Sequence, residues 1–378
     1  MNIPFADSLL HAYIRHASRN RPISPLATLN LGSIKRVLLV LTTGLGDAIL
    51  STPVFPNLRR ALPNADIRLF CRNGWQSLFE NDPALNEIIG YKGKYRDFFN
   101  TIRTLREFSP DLTLVLHGND PDILPLAYLA GSEYILRIPT RQTRYPFLLS
   151  NRDRKQDETT TPGLHYIENR LRILDTLDIA TPERNPKIYL AQSVHDEVKH
   201  KLQFLFGSNT RYWVFHTFAA DAYKVWPLDK ARALLQTTLA SMPELNVVLT
   251  GSAADRDALT QLTADLPGNR IANIAGQFSL AETAACIADA AFLTGPDTGI
   301  LHLAAAVGTP AIGLYAATSA ALVGPRSAHM THHIIQKAQT CEPCVSKKCP
   351  YTPKNCMDQI SVDEVKKEML AILSKARP

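Results

Sequence analysis

The chain has 378 residues, enough for two domains of ordinary size, each with its own core. Hydrophobic residues make up 45% and charged residues 20%, a normal globular balance, and no apolar run is long enough to predict a membrane-crossing helix. A net charge of +6 suits anionic substrates or a membrane face and argues against duplex DNA, which requires a dense basic stripe.

Residues 1–33 read as an N-terminal extension without the apolar core and cleavage site of a secretory signal. Phe5, Leu9, Leu10, Tyr13, Ile14 and Ala17 share one helical face, and Arg15, Arg19 and Arg21 gather towards its end. Such a helix either packs on the protein's own body or lies on an anionic membrane. The next domain, residues 34–180, starts with the buried-strand run "RVLLVL" (36–41), then "TTGLGD" and a helical stretch to about Leu62. "DIRLFC" (66–71) and "DLTLVLH" (111–117) repeat the strand pattern, with helical "RDFFNTIRTLREF" before the latter. Strands alternating with helices predict a parallel sheet covered on both faces.

Residues 141–163 read as a long polar loop, then helical "LHYIENRLRILDTL" and a proline-containing linker, 178–187. A further domain, residues 181–360, repeats the plan with strands "YWVFH" (212–216), "LNVVLTG" (245–251), "AFLT" (291–294) and "AIGLY" (311–315). Residues 361–378 read as a closing amphipathic helix. The predicted fold class is α/β, with two doubly wound Rossmann-like domains facing across a cleft.

Ligands of open parallel sheets bind beyond the carboxyl ends of the strands, so the strand-to-helix corners are the places to look. "GPDTGILH" (295–302) starts a helix near Thr298, whose first amides and dipole suit a phosphate. Gly299 permits close approach, Thr298 carries a hydroxyl, and His302 lies one turn on, on the same face. The alternative is that Asp297 and Thr298 only cap the helix and His302 is a satisfied core histidine. In "TTGLGDAILSTP" (42–53), Gly44 and Gly46 shape the corner, and Ile49 stands where a dinucleotide fingerprint has its third glycine. Asp47 there is either a helix cap or a proton acceptor favoured by the dipole. In "HTFAADAYKVWP" (216–227), Thr217 and Lys224 have the chemistry to hold a diphosphate.

These three segments, in this order across two domains, resemble glycosyltransferase family nine, the bacterial heptosyltransferases of lipopolysaccharide core assembly. The resemblance spans roughly Ile34 to Val365 and is carried above all by Asp297, Thr298, Gly299 and His302. It implies a GT-B architecture and inverting transfer of a sugar, expected to be heptose from ADP-heptose, onto a lipopolysaccharide inner-core or related glycan acceptor. Asp47 would be the general base, and Thr217, Lys224, Asp297, Thr298, Gly299 and His302 would hold the donor diphosphate. Phe278 stands where the family places an apolar contact to the nucleotide. Two departures are visible: Asp255 is the nearest acid where the family often carries a nucleotide-gripping glutamate, and "AATSAALVGP" (316–325) replaces a usual Gly-Pro-Thr.

The resemblance implies no catalytic metal, no nucleic-acid partner and a cytoplasmic location, with the basic N-terminal helix a candidate for peripheral contact with the inner membrane. A nucleotide-sugar epimerase or hydrolase of the same fold is the alternative enzyme class, and a non-catalytic metal-binding relative the alternative outside enzymes. The last possibility arises from "CEPCVSKKCPYTPKNC" (341–356): Cys341, Cys344, Cys349 and Cys356 are spaced for a structural zinc or iron site, with disulfides or free thiols as rivals. Cys71 and Cys286 fall in a predicted strand and helix and are expected in the core.

Overall fold

The computed structural model describes residues 3–118, 120–138, 144–152, 163–207, 211–337, 349 and 356–375. The chain divides into two compact units, Met1–Arg184 and Asn185–Pro378.

The first unit runs α1 (Ile3–Asn20), β1 (Arg36–Leu41), α2 (Leu45–Leu50), α3 (Val54–Ala61), β2 (Asp66–Arg72), α4 (Gln76–Phe79), β3 (Glu87–Tyr91), α5 (Phe98–Phe108), β4 (Leu112–His117), α6 (Ile123–Leu129), β5 (Tyr134–Arg137) and α7 (Tyr166–Asp175). Its strands are all parallel, in the order β3-β2-β1-β4-β5. Central β1 is apolar on both faces because helices cover both, and five of its six residues are buried. The sequence pattern predicts one helix after it, but the structure breaks that segment at Ser51–Pro53. There the hydroxyls of Ser51 and Thr52 donate to the carbonyls of Asp47 and Ile49, and Pro53 cannot continue the hydrogen-bond ladder. Ile14 of α1 is fully buried in the core of this unit, with Leu10 and Ala17 packed beside it.

The second unit runs α8 (Gln192–Phe206), β6 (Tyr212–His216), α9 (Leu228–Ser241), β7 (Asn246–Thr250), α10 (Arg256–Leu262), β8 (Ile271–Asn273), α11 (Leu280–Ala288), β9 (Leu293–Pro296), α12 (Gly299–Ala306), β10 (Ala311–Tyr315), α13 (Ala320–Val323), β11 (His333–Gln336) and α14 (Val362–Lys375). The sheet order is β11-β10-β9-β6-β7-β8, again all parallel. Counted from β6, this is the dinucleotide-fold order 3-2-1-4-5-6. The core stacks Trp213 on Phe215 and Phe292, with ring centroids 5.0 and 5.4 Å apart. Val365, Met369 and Ile372 of α14 enter the same core, and Trp226 Nε1 donates to the Ile360 carbonyl at 3.1 Å. No described helix is long and apolar enough to cross a membrane.

Candidate active-site corners

In each sheet the strand order reverses once, between β1 and β4 and between β6 and β9. Neighbouring crossovers there leave in opposite directions, so the loops part and open a crevice at the carboxyl ends of the strands. Of the predicted site residues, Gly44, Gly46 and Asp47 follow β1, Thr217 follows β6, and Asp297, Thr298, Gly299 and His302 follow β9. Lys224 joins the second group through a one-turn helix, Ala222–Lys224.

At the first corner the backbone of Gly44 has φ +58°, and a Cβ there would meet Asp47 Oδ2 at 2.6 Å. The positive φ favours glycine, and any other residue would also have to displace the Asp47 carboxylate. Asp47 lies in the first turn of α2 but makes no capping bond. Its Oδ1 instead accepts from Arg170 Nη2 at 2.9 Å, and His117 Nε2 lies 3.6 Å from the same oxygen. Arg170 comes from α7 and is buried, with an Nε that has no partner among the described residues. His117 ends β4, and its Nδ1 meets the Thr43 hydroxyl. Burial above all, and then the Arg170 charge, push the imidazole below its ordinary range, although Asp47 pulls the other way. The ring is therefore neutral near pH 7.

Further cations and carboxylates sit around this corner. Arg72, at the end of β2, donates to the Thr42 carbonyl, and its Nη2 lies 3.6 Å from Asp120 Oδ2. Lys94 approaches the same buried carboxylate at 3.8 Å. Asp122 accepts from the Tyr91 hydroxyl at 2.8 Å and from the Tyr95 amide at 2.9 Å, and burial raises its carboxyl to about 6.

At the second corner Lys224 Nζ donates to Asp297 Oδ2 at 2.7 Å and to the Asp297 carbonyl at 3.3 Å. Asp297 is thus an ion-pair partner, and Thr298, the N-cap of α12, makes no capping bond with its side chain. The buried hydroxyls of Thr217 and Thr298 have no hydrogen-bond partner among the described residues. An unsatisfied buried hydroxyl costs about 1–3 kcal/mol, which a bound ligand can recover. His302 is buried behind this loop, its Nε2 4.0 Å from Asp297 Oδ1. The Phe278 ring receives Lys201 Nζ at 5.5 Å, and Lys201 is itself held by Glu197 and Glu282. Asp255 is occupied locally, accepting from the Ser252 amide and hydroxyl at 2.7 Å each.

Sequence reasoning missed His117, Arg170, Arg72 and Asp120. His117 was findable, because it ends the buried run "LTLVLH" as a polar residue at a strand's carboxyl end. Arg170 left a fainter signal, an arginine on the same helical face as Ile167, Leu171 and Leu174. Of the clustered cysteines, Cys341 and Cys344 lie outside the described residues. Among the described residues no group of three or more His, Cys, Asp or Glu is placed to hold a metal ion. Cys71 and Cys286 are buried, as expected from their positions.

Two Rossmann-like units in succession, with polar corners at their switch points, are the architecture of GT-B-type glycosyltransferases. The family described as "Glycosyltransferase family 9 (heptosyltransferase)" matches residues 131–355, more than half of the chain, and the chain belongs to that family. It is a glycosyltransferase. Lipopolysaccharide heptosyltransferase 3 of Escherichia coli (strain K12) is 25% identical over 298 residues, covering 77% of this chain and 84% of that protein. Lipopolysaccharide heptosyltransferase 1 of Pseudomonas aeruginosa is 26% identical over 334 residues, covering 84% and 88%. Among solved structures, the ADP-heptose lps heptosyltransferase II of E. coli superposes with a TM-score of 0.73 at 20% identity, covering 90% of this chain and 99% of that one.

Proposed function

We propose that this protein transfers heptose from ADP-heptose, with inversion, onto a lipopolysaccharide inner-core or related glycan acceptor in the cytoplasm. The family and the names of its relatives support the donor and the acceptor class. The observation that supports the chemistry most directly is that neither corner aspartate caps its helix: Asp47 is gripped by Arg170, and Asp297 holds Lys224.

In this reading Asp47 Oδ1 is held by Arg170, and Oδ2 takes the acceptor hydroxyl proton. A hydroxyl is far less acidic than a carboxylic acid, so the proton moves as the acceptor oxygen attacks the anomeric carbon. The new C–O bond forms on the face opposite the breaking bond to the diphosphate, which inverts the centre. ADP departs with the bonding electron pair. Lys224, the hydroxyls of Thr217 and Thr298 and the first amides of α12, from Gly299 on, stabilise the charge that develops on the leaving diphosphate. Asp297 aims Lys224, His302 backs Asp297, and Phe278 borders the nucleotide. Lys224 and the helix dipole supply positive charge where a metal would otherwise be needed.

Thermal-shift and turnover measurements with ADP-, GDP-, UDP- and dTDP-sugars test the reading. Selective stabilisation by the ADP-sugar is expected. Donor turnover in the absence of any acceptor would point to a hydrolase or epimerase and overturn it. The spacing of Cys341, Cys344, Cys349 and Cys356 supports a separate proposal of a structural zinc or iron, which metal analysis of the purified chain checks.

A further inference from the structure

An irregularity in the first sheet brings His117 to its corner. β1 and β4 pair in regular register up to Val40 and Val115, but the next pairing is Leu41 with His117, so Leu116 is an extra residue near the end of β4. A bulge of this kind re-aims a side chain and is over-represented next to active sites. The Thr42 amide donates to the His117 carbonyl at 3.0 Å and fixes the backbone there. Leu116 is buried, whereas the His117 side chain keeps 22% of its surface accessible and that of Asp47 keeps 28%. Arg170, at 11%, lies deeper than either.

One nitrogen of the imidazole is occupied and the other is unused. Nδ1 meets the Thr43 hydroxyl and lies 3.4 Å from the Thr43 carbonyl. A carbonyl only accepts and a hydroxyl does either, so a proton on Nδ1 serves both partners. Burial, the Arg170 charge and, to a lesser degree, Arg137 keep the ring neutral against the pull of Asp47, which leaves Nε2 a bare acceptor. Nε2 makes no hydrogen bond among the described residues and faces Asp47 Oδ1, a second acceptor, across 3.6 Å. Two acceptors at this spacing, with no proton between them, fit two donors of one ligand. Neighbouring hydroxyls of a sugar are such a pair, one donating to the Asp47 carboxylate and the other to His117.

We propose that His117 is a specificity-determining residue that accepts a hydrogen bond from the hydroxyl adjacent to the one that attacks, so that the acceptor must carry a vicinal diol. The proposal rests on the glycosyl-transfer reading and specifies a feature of the acceptor that the reading leaves open. The test uses ADP-heptose and a set of synthetic inner-core saccharides, one intact and the others each lacking a single hydroxyl. With the wild type, loss of the attacking hydroxyl abolishes transfer, and loss of its neighbour raises the acceptor KM about tenfold, the size of one hydrogen bond. That series needs no variant to fold. His117→Phe raises the KM for the intact saccharide by a similar factor and is indifferent to loss of the neighbour, because the same bond is already missing. His117→Gln, which keeps an acceptor near the Nε2 position, retains most of the discrimination. Additive effects of His117→Phe and the missing neighbour overturn the proposal. So does a fall in kcat at unchanged acceptor KM, which would make His117 a positioning residue for Asp47. Absence of transfer by the wild type to the intact saccharide overturns the glycosyl-transfer reading itself, and this proposal with it.

Discussion

Arg170 and Asp47 are separated by 123 residues of chain and joined by one hydrogen bond of 2.9 Å. The arginine is buried on α7 and the aspartate sits in the first turn of α2, so the carboxylate is fixed in direction by a donor with little freedom of its own. Replacing Arg170 by Lys keeps the charge and loses the planar fork. On the proposed mechanism, kcat falls about tenfold or more while donor affinity is unchanged, because the base loses its aim. Arg170→Met leaves Asp47 without its partner and lowers stability as well, by roughly 1–3 kcal/mol in denaturant titration. A kcat for Arg170→Lys equal to wild type would remove the positioning role.

Asp47→Asn is nearly isosteric and cannot accept the proton. Transfer is expected to drop by about 10²–10⁴-fold, with ADP-sugar binding preserved in a thermal-shift titration. Undiminished turnover would show that some other group takes the proton, and His117, next to the same oxygen, would be the first to test.

Lys224→Ala removes the cation at the second corner and leaves the buried Asp297 unpaired. Donor affinity should fall by at least about tenfold, since charge-assisted contacts to a diphosphate are strong. Lys224→Ala with Asp297→Asn should recover stability but not donor affinity, separating the structural cost of the unpaired carboxylate from the lost contact. Isothermal titration with ADP on both variants checks this.

Burial lowers the imidazoles of His117, His216 and His332 from their ordinary value, His332 to about 4. In the unfolded chain each binds a proton near pH 6.5, whereas the folded protein resists protonation below that. Unfolding therefore takes up protons, and stability is full above pH 6.5 and lost as pH falls through the window from 6.5 towards the folded values. Asp122, raised to about 6, works in the opposite sense below that pH. The difference between wild type and His332→Asn isolates one histidine. Between pH 7 and pH 4.5 the wild type should lose on the order of 2 kcal/mol more than the variant in denaturant titrations. Parallel losses would mean that His332 is not held neutral in the folded protein.

Cys71 and Cys286 are buried in β2 and α11, and burial pushes both thiols up to about 12. The thiolate is the reactive form, so neither should be alkylated by iodoacetamide in the native protein at neutral pH. Peptide mapping after labelling should find both modified only once denaturant is present.

Long interior strands were legible in the sequence because parallel strands covered on both faces are nearly continuous apolar runs: "RVLLVL", "YWVFH" and "AIGLY" coincide with β1, β6 and β10. Short strands were not. β5, β8 and β11 hold three or four residues each, too few to establish a period, and take their extended form from the neighbours they pair with. The strand read as "AFLT" runs on through Gly295 and Pro296, because Gly295 lets β9 pass close to the carbonyl of His216.

What the sequence determined by itself was local: the apolar runs, the glycine at the first corner, and the order of three polar segments that identified the family. Those depend on residues adjacent in the chain, where periodicity and backbone restriction act. Only the tertiary structure decided which partners those segments acquire. That Asp47 meets His117, and Lys224 meets Asp297, follows from strand order, since β4 lies beside β1 and β9 beside β6, while Arg170 reaches Asp47 because α7 packs on α2. Hydrogen bonds and ion pairs act over a few ångströms of space, and separation along the chain carries no record of that distance.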